Sequence, residues 1–489
     1  MVGPMKLLPI WNERVQNVEL EPAGIRISYG LKKSPSYYAM NTNFIETVED
    51  AQAMLDFALQ RPLSHIGFDT EFRYARPGVV IDKRNTKYDP TSIRPLLLSL
   101  AMSEPMENDE GRLYTFVVDL RRFELLPILN ELFRLPIPFV GHFAKVELFC
   151  LWRLGLTEPH VLWDTFIFEK LLHLGRHHYK YNLHRKTDEL EQLLAMEESY
   201  ENKVFGFSLV ATCQRYAVAY GMATEKERLQ QSFLIHPAEA RFSEEQIDYA
   251  AEDAVAAGQL YPLQVQKAVQ HGLLRHCETV EMDWVVTNAR IEWTGVRIDE
   301  KKRDEAIDRI SVQLEKLEKH LAAEYGIQNS RSHKQLAEFF KGCGLLHNFL
   351  QGGKVSFDKK VLKKNAGLHP VIDLLREARR ASGLLSDKLL SPEFIGRDVR
   401  VRPEHRQLGT DTGRQTSRWP NLLGLDSVLR PLLIPEEGYG IGEVDWSQVE
   451  VGVSAAIYGD KELVRMFNTG DVYSSMAQHF FRDELPDPD

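Results

Sequence analysis

The chain lacks any apolar run approaching the ~20 residues that a bilayer-spanning helix needs, so no membrane-spanning segment is expected. Its first residues, MVGPMKLLPIWNERV, hold no apolar core followed by a small-residue cleavage site, so no secretory leader is expected. Cysteine is scarce. The four present (Cys150, Cys213, Cys277 and Cys343) show neither metal-ligand nor disulfide spacing, and a reducing, cytoplasmic compartment is expected. Low-complexity tracts and repeats at solenoid periods are absent. An overall positive charge is missing too: the net charge is −10, so phosphate could be gripped only by local basic patches. Two basic stretches exist, at 176–186 and 397–414, although most charge runs are simply solvated faces.

What is present is a chain of 489 residues, 43% hydrophobic and 27% charged, which suits two or three globular domains. Residues 1–45 suggest no function. From 46 to 275 strand and helix patterns alternate: a helix at 48–60, the strand IGFDTEF, the strands PLLLSLAMS and YTFVVDL, a helix at about 123–134, the strand PFVGH, and the helix AKVELFCLWRLG. Strands mixed with helices predict an α/β layer structure. A long helix follows SEEQ, with Ser243 as its N-cap and Gln246 at the capping-box position. From 276 to 489 the texture is helical, broken at Gly352–Gly353, and ends with a strand-like GIGEVDWSQ running into a helix.

Asp69 and Glu71 occupy alternate positions of the apolar strand GFDTEF, so their carboxylates share one face. Two unpaired carboxylates there are costly unless they bind a cation or lie at a solvated strand end. Taken alone, the pair leaves these two readings equal. Three later features shift the balance: VGHFAKVELFCL, with His142 at a turn and Glu147 in a helix; WDTFIFEKLL, with Asp164; and Tyr249 and Asp253, four apart on one helical face. Singly, Tyr249 reads as a core aromatic and Asp253 as a surface acid. Their order and separations carry the argument.

Residues from about 60 to 265 resemble the DEDD-type 3′→5′ exonucleases of the tyrosine-containing subclass. The first motif of that family, Asp-x-Glu, matches Asp69 and Glu71, and its last, Tyr-x-x-x-Asp, matches Tyr249 and Asp253. The middle motif, usually Asn-x-x-Phe/Tyr-Asp, ends here in Glu147 and lacks the asparagine and the aromatic. The resemblance implies two Mg²⁺ or Mn²⁺ ions, about 3.5–4 Å apart, clamping an in-line phosphodiester displacement. Asp69 would bridge both ions, Glu71 and Asp253 would bind the nucleophile-side ion, Glu147 would complete the set, and Tyr249 would orient the attacking water. For Asp164 a supporting or structural role is expected. A single-stranded DNA 3′ end would suit the site. Phe72, Tyr74 and Phe143 could stack bases, with core packing favoured for Phe72 and Phe143.

Further along, Asp445 ends the apolar GEVD, and Thr410–Ser417 (TDTGRQTS) is rich in hydroxyls around an arginine. A polar loop is the alternative for the latter. With WPNLLG after it and Asp445-Trp-Ser-Gln-Val-Glu-Val-Gly, the segment resembles family A DNA polymerases of the bacterial polymerase I type. That resemblance implies a ribonuclease H-like exonuclease domain (46–275), then a partial polymerase domain (276–489) with a helical thumb at about 300–390 and the first part of a palm at about 391–489. Asp445 would ligate metal, Glu450 would press on the sugar, Gln448 belongs to the same motif, and Arg414, Asn421 and Arg430 would hold primer–template or the incoming triphosphate. The fingers helix and second palm motif of that family do not occur before Asp489, so this chain alone is not expected to polymerise. Three readings remain: an exonuclease joined to a partial polymerase, a polymerase completed by a separate C-terminal part, and an inactive DNA-binding remnant.

Overall fold

The computed structural model describes residues 18–21, 24–27, 36–39, 42–83, 85–105, 110–174, 206–221 and 226–481, which leaves the basic stretch at 176–186 outside the described residues. The chain divides into two compact units, residues 1–433 and 434–489.

The first unit is organised around a seven-stranded sheet. Its strands in chain order are β1 (Ser36–Ala39), β2 (Asn43–Ile45), β3 (His65–Tyr74), β4 (Ile93–Ser103), β5 (Glu110–Asp119), β6 (Pro138–Gly141) and β7 (Val161–Asp164). Across the sheet the order is β7-β6-β3-β4-β5-β1, with β2 also paired to β5. β3, β4 and β5 form an antiparallel meander, whereas β6 runs parallel to both β3 and β7. β4 reads as a nearly unbroken apolar run because both of its faces are covered: every residue but Arg94 is buried.

Helices cover the sheet: α1 (Val48–Gln60), α2 (Leu126–Phe133), α3 (Lys145–Arg153), α4 (Thr165–Leu172), α5 (Leu209–Tyr216), α6 (Lys226–Leu234) and α7 (Glu244–Gln270). The Thr47 hydroxyl accepts from the Asp50 amide and starts α1 at the expected residue. Ser243 and Gln246 form a full capping box on α7, as their spacing predicts. The strand expected as PFVGH stops at Gly141, because His142 and Phe143 turn the chain into α3. The main core contains Phe68, Phe133, Phe139, Leu98, Leu129 and Leu148, all at or near zero exposure.

α7 lies against β3 at a point where neither backbone carries a side chain. A Cβ on Gly67 would meet the Ala254 carbonyl at 2.1 Å and the Gly258 amide at 2.9 Å. His65 fixes the same crossing, its Nε2 donating to the Gly258 carbonyl at 2.8 Å. The close approach sets the distance between β3, with its two acids, and α7, with Asp253.

Beyond the sheet, α8 (Met282–Thr294), the 26-residue α9 (Glu300–Tyr325), α10 (His333–Gly342) and α11 (Pro370–Leu385) supply the expected helical texture. A second core of Leu321, Phe340, Phe349, Phe357 and Leu375 is buried among them. Gly352 and Gly353, both at positive φ, turn a short hairpin at the expected break.

The second unit holds α12 (Val449–Tyr458), α13 (Lys461–Thr469) and α14 (Val472–Phe480). The expected strand at 440–448 is not formed: residues 436–447 are exposed and hold no regular element. A strand needs a neighbour for its amides and carbonyls, and none pairs with this segment among the described residues. No helix among the described residues is long and apolar enough to cross a membrane.

Candidate active site

Three elements bring acidic side chains to one place. On β3, Asp69 and Glu71 point to the same face, and a register shift in the β3–β4 ladder falls directly after Glu71. Glu147 comes from the first turn of α3, where the helix N-terminus favours negative charge. Asp253 comes from α7. Glu71, Glu147 and Asp253 are buried, at 7%, 5% and 8% exposure. Asp69 retains part of its surface.

These carboxylates feel one another. Burial, then the charge of Asp253, holds the Asp69 carboxyl well above the ordinary carboxylate range, with Lys226 opposing. Glu71 is raised by burial and then by Asp69 and Asp253, again against Lys226. Glu147 is raised by burial and then by Asp69. One of its oxygens, Oε2, is buried without a hydrogen-bond partner. Like charges brought together out of water, with an orphaned oxygen among them, form a donor set that suits a hard divalent cation. As the side chains stand, no group of three or more His, Cys, Asp or Glu among the described residues is arranged to cage an ion.

Lys226 accounts for part of that arrangement. Its ammonium lies 2.7 Å from Asp253 Oδ2 and 3.1 Å from Oδ1, so Asp253 is drawn toward α6. The Tyr220 hydroxyl also donates to Asp253 Oδ1. Neither residue was found from the sequence, because no motif or spacing marks the turn that carries Tyr220 or the start of α6. Tyr249 is almost fully buried, packed with Leu96, Leu97, Val117 and Phe233. Burial first, then Asp253, Glu71 and Asp69, raises its phenol far above the ordinary value, so the hydroxyl stays protonated. It therefore combines the core packing and the proximity to the acids that the sequence offered as alternatives.

Neighbouring residues hold the acids in place. Asp164 Oδ1 accepts from the amides of Phe143, Phe166 and Ile167, and Oδ2 from that of Ala144. Both oxygens are thus committed to backbone, which caps α4 and anchors the turn into α3. Burial raises the Asp164 carboxyl to about 6, against the pull of those amides. Phe143 sits at φ +67°, a conformation bulky residues rarely adopt. His142 Nε2 donates to the Phe207 carbonyl at 3.0 Å, which leaves Nδ1 to accept from the Thr165 hydroxyl at 2.8 Å. Burial lowers this imidazole to about 3, so it is neutral and structural. Phe72 packs against the main core, Phe143 meets Phe166 edge-on at 5.1 Å, and Tyr74 stacks on Tyr88 at 4.0 Å.

The residues expected in a palm fall into both units. In the first, Arg414, Asn421 and Arg430 are exposed. The TDTGR segment is a turn closed by Gly409 and Thr410 amides donating to the Arg414 carbonyl, at 2.9 and 3.2 Å. Asn421 Oδ1 accepts from the Gly424 amide at 3.1 Å. In the second, Asp445 is exposed in the irregular segment and Glu450 in the first turn of α12. The Gln448 side chain bonds Asp471 at 2.6 Å and accepts from the Val472 amide at 2.9 Å, so it braces the start of α14.

Comparison with known proteins adds to this picture. Residues 300–487 match the family model described as DNA polymerase family A. Aligned with "DNA polymerase I" of Aquifex aeolicus, the chain is 25% identical over 374 residues, 73% of this chain and 58% of the relative. The chain is a homologue of the family A DNA polymerases. Against the thermostable polymerase I of Thermus aquaticus this homologue is 25% identical over 429 residues, 82% of its length and 50% of the relative. It thus spans about half the length of such relatives. The "POL domain of Pol1 from M. smegmatis", solved as a complex with DNA primer-template and dNTP, superposes with a TM-score of 0.66 at 20% identity, covering 91% of this chain and 69% of that one. That likeness is one of fold. The acidic cluster of the polymerase homologue lies before residue 300, outside the stretch matched by the family model.

Proposed function

We propose that this polymerase homologue acts on DNA and that its α/β layer removes nucleotides from 3′ ends by metal-dependent hydrolysis. The observation that carries the reading is the meeting of Asp69, Glu71, Glu147 and Asp253, three of them buried and three with raised carboxyls. Such a cluster is costly unless cations bind it. Asp69, Glu71 and Asp253, with Glu147 in place of the usual aspartate, would hold two Mg²⁺ or Mn²⁺ ions. Bound there, the ions would supply Lewis-acid activation of water and stabilisation of the leaving 3′-oxygen. Tyr249, protonated and fixed by its packing, would position the attacking water through its hydroxyl. Tyr220 would hold Asp253 in line. Asp164 keeps the turn before Glu147 in shape and is not needed as a ligand.

The test is a 5′-labelled single strand incubated with Mg²⁺ or Mn²⁺. Stepwise shortening that Asp69→Ala abolishes supports the reading; an intact strand with the native chain rejects it.

A second reading is DNA-directed polymerisation completed by a further polypeptide segment, and the family match supports it more directly than it supports hydrolysis. In the second unit, Val444, Trp446, Ile457 and Tyr458 expose 88%, 78%, 73% and 82% of their surface, large apolar side chains of the kind that a partner covers. Arg414, Asn421 and Arg430 would hold primer–template or the incoming triphosphate, Asp445 would ligate metal, and Glu450 would press on the sugar, with Gln448 in the same motif. Extension of a primed template by this chain alone would show that no such segment is required.

A further inference from the structure

Between the α/β layer and the hairpin formed by Glu404–Arg406 and Thr416–Arg418 lies a cavity of about 530 Å³. Small-molecule sites span roughly 300–1,000 Å³. None of the four clustered acids lines it. Its walls are aromatic on one side: Tyr74 and Tyr88 stack with ring planes 6° apart, and Phe143 and Phe166 meet edge-on. The unusual backbone of Phe143 is one of the features that set this wall.

The charges in the cavity do not balance. Lys145 is spent on Glu292, at 2.6 Å. Glu404 is shared by two arginines, Arg418 at 2.7 Å and Arg406 at 3.1 Å. Asp164 is saturated by backbone amides. Lys87 and Lys170 remain, and among the described residues neither forms an ion pair; Lys170 Nζ donates only to the Gln407 carbonyl, at 2.8 Å. Burial lowers both amines, Lys170 to about 8. Two desolvated ammonium groups beside stacked aromatic rings match a ligand that is planar at one end and anionic at the other.

We propose that this cavity binds a nucleotide unit, its base against the Tyr74–Tyr88 and Phe143 surfaces and its phosphate between Lys87 and Lys170. The unit is either a free mononucleotide or one residue of a single strand. The proposal rests on the chain handling DNA, not on the acidic cluster hydrolysing it.

The test uses the full chain carrying Asp69→Ala, in EDTA, so that the acidic cluster takes no metal. Calorimetric titrations compare thymidine 5′-monophosphate, thymidine and a short oligo-dT. The monophosphate or the oligonucleotide is expected to bind, with thymidine at least tenfold weaker than the monophosphate. Lys87→Met with Lys170→Met is expected to weaken binding tenfold or more. Arginine at both positions should restore most of it, which separates lost charge from lost folding. Binding of the monophosphate identifies a free nucleotide; binding of the oligonucleotide alone identifies a strand residue. No binding of either, equal binding of thymidine and its monophosphate, or affinity unchanged by the lysine pair would each overturn the proposal. Metal-dependent strand shortening by the native chain would stand in any of those cases, so the two readings fail separately.

Discussion

At Asp253 the Lys226 ammonium holds the two carboxylate oxygens that the proposed metal ion would take. Lys226 supplies positive charge that an ion would otherwise supply, so its removal strips a competitor from the cluster. Lys226→Met is expected to tighten Mn²⁺ binding severalfold by calorimetry; weaker binding would mean that the lysine helps to build the site. A second consequence concerns pH. Burial and Asp253 raise the Asp69 carboxyl, so the folded metal-free chain holds its proton to higher pH than the unfolded chain does. That contribution lowers stability as pH rises from the unfolded carboxylate range through the raised folded value. In EDTA, Asp69→Asn should therefore raise Tm more at high pH than at low pH, where Asp69 holds its proton in both states. Buried His65 and His142, lowered to about 4 and about 3, act with the opposite sign, but they are common to both proteins and cancel in the comparison.

The spacing of the elements decides whether the acids meet. Because a Cβ on Gly67 would run into the Ala254 carbonyl, Gly67→Ala must push α7 away from β3. The expected loss is about 1–3 kcal/mol or more by denaturant titration, together with weaker metal binding. Another tie joins α3 to α8: Lys145 and Glu292 are 6% and 2% exposed and pair at 2.6 Å. Lys145→Met leaves a buried carboxylate without its cation and should cost about 3–5 kcal/mol, less when Glu292→Met is added. Equal cost for the single and double variants would show that the ion pair is not the source of the loss. At this scale much was legible in the sequence. The helix at 48–60, the capping box at Ser243 and the alternation of Asp69 and Glu71 follow from local rules that the packed chain also obeys. The segment expected to be strand-like at 440–448 is irregular because apolar residues report only a tendency to pair, whereas a strand also needs a neighbour. Tyr220 and Lys226 were missed because their roles depend on where a turn places them, which no spacing encodes.

Across the whole molecule, the division at residues 433 and 434 precedes a continuous exposed stretch, 436–447, that has no regular structure. Exposed irregular backbone is where proteases cut first. Limited proteolysis is expected to nick within that stretch and to leave a large N-terminal fragment; first cleavage inside α9 would contradict the division. The acids and the aromatic cavity both belong to the first unit, so that fragment is expected to keep the proposed metal binding. The most direct measurement is a Mn²⁺ titration of the full chain followed by electron paramagnetic resonance. Two bound ions are expected, with their coupled signal lost in Asp69→Ala. Failure to bind Mn²⁺, or binding that Asp69→Ala leaves unchanged, would contradict the account.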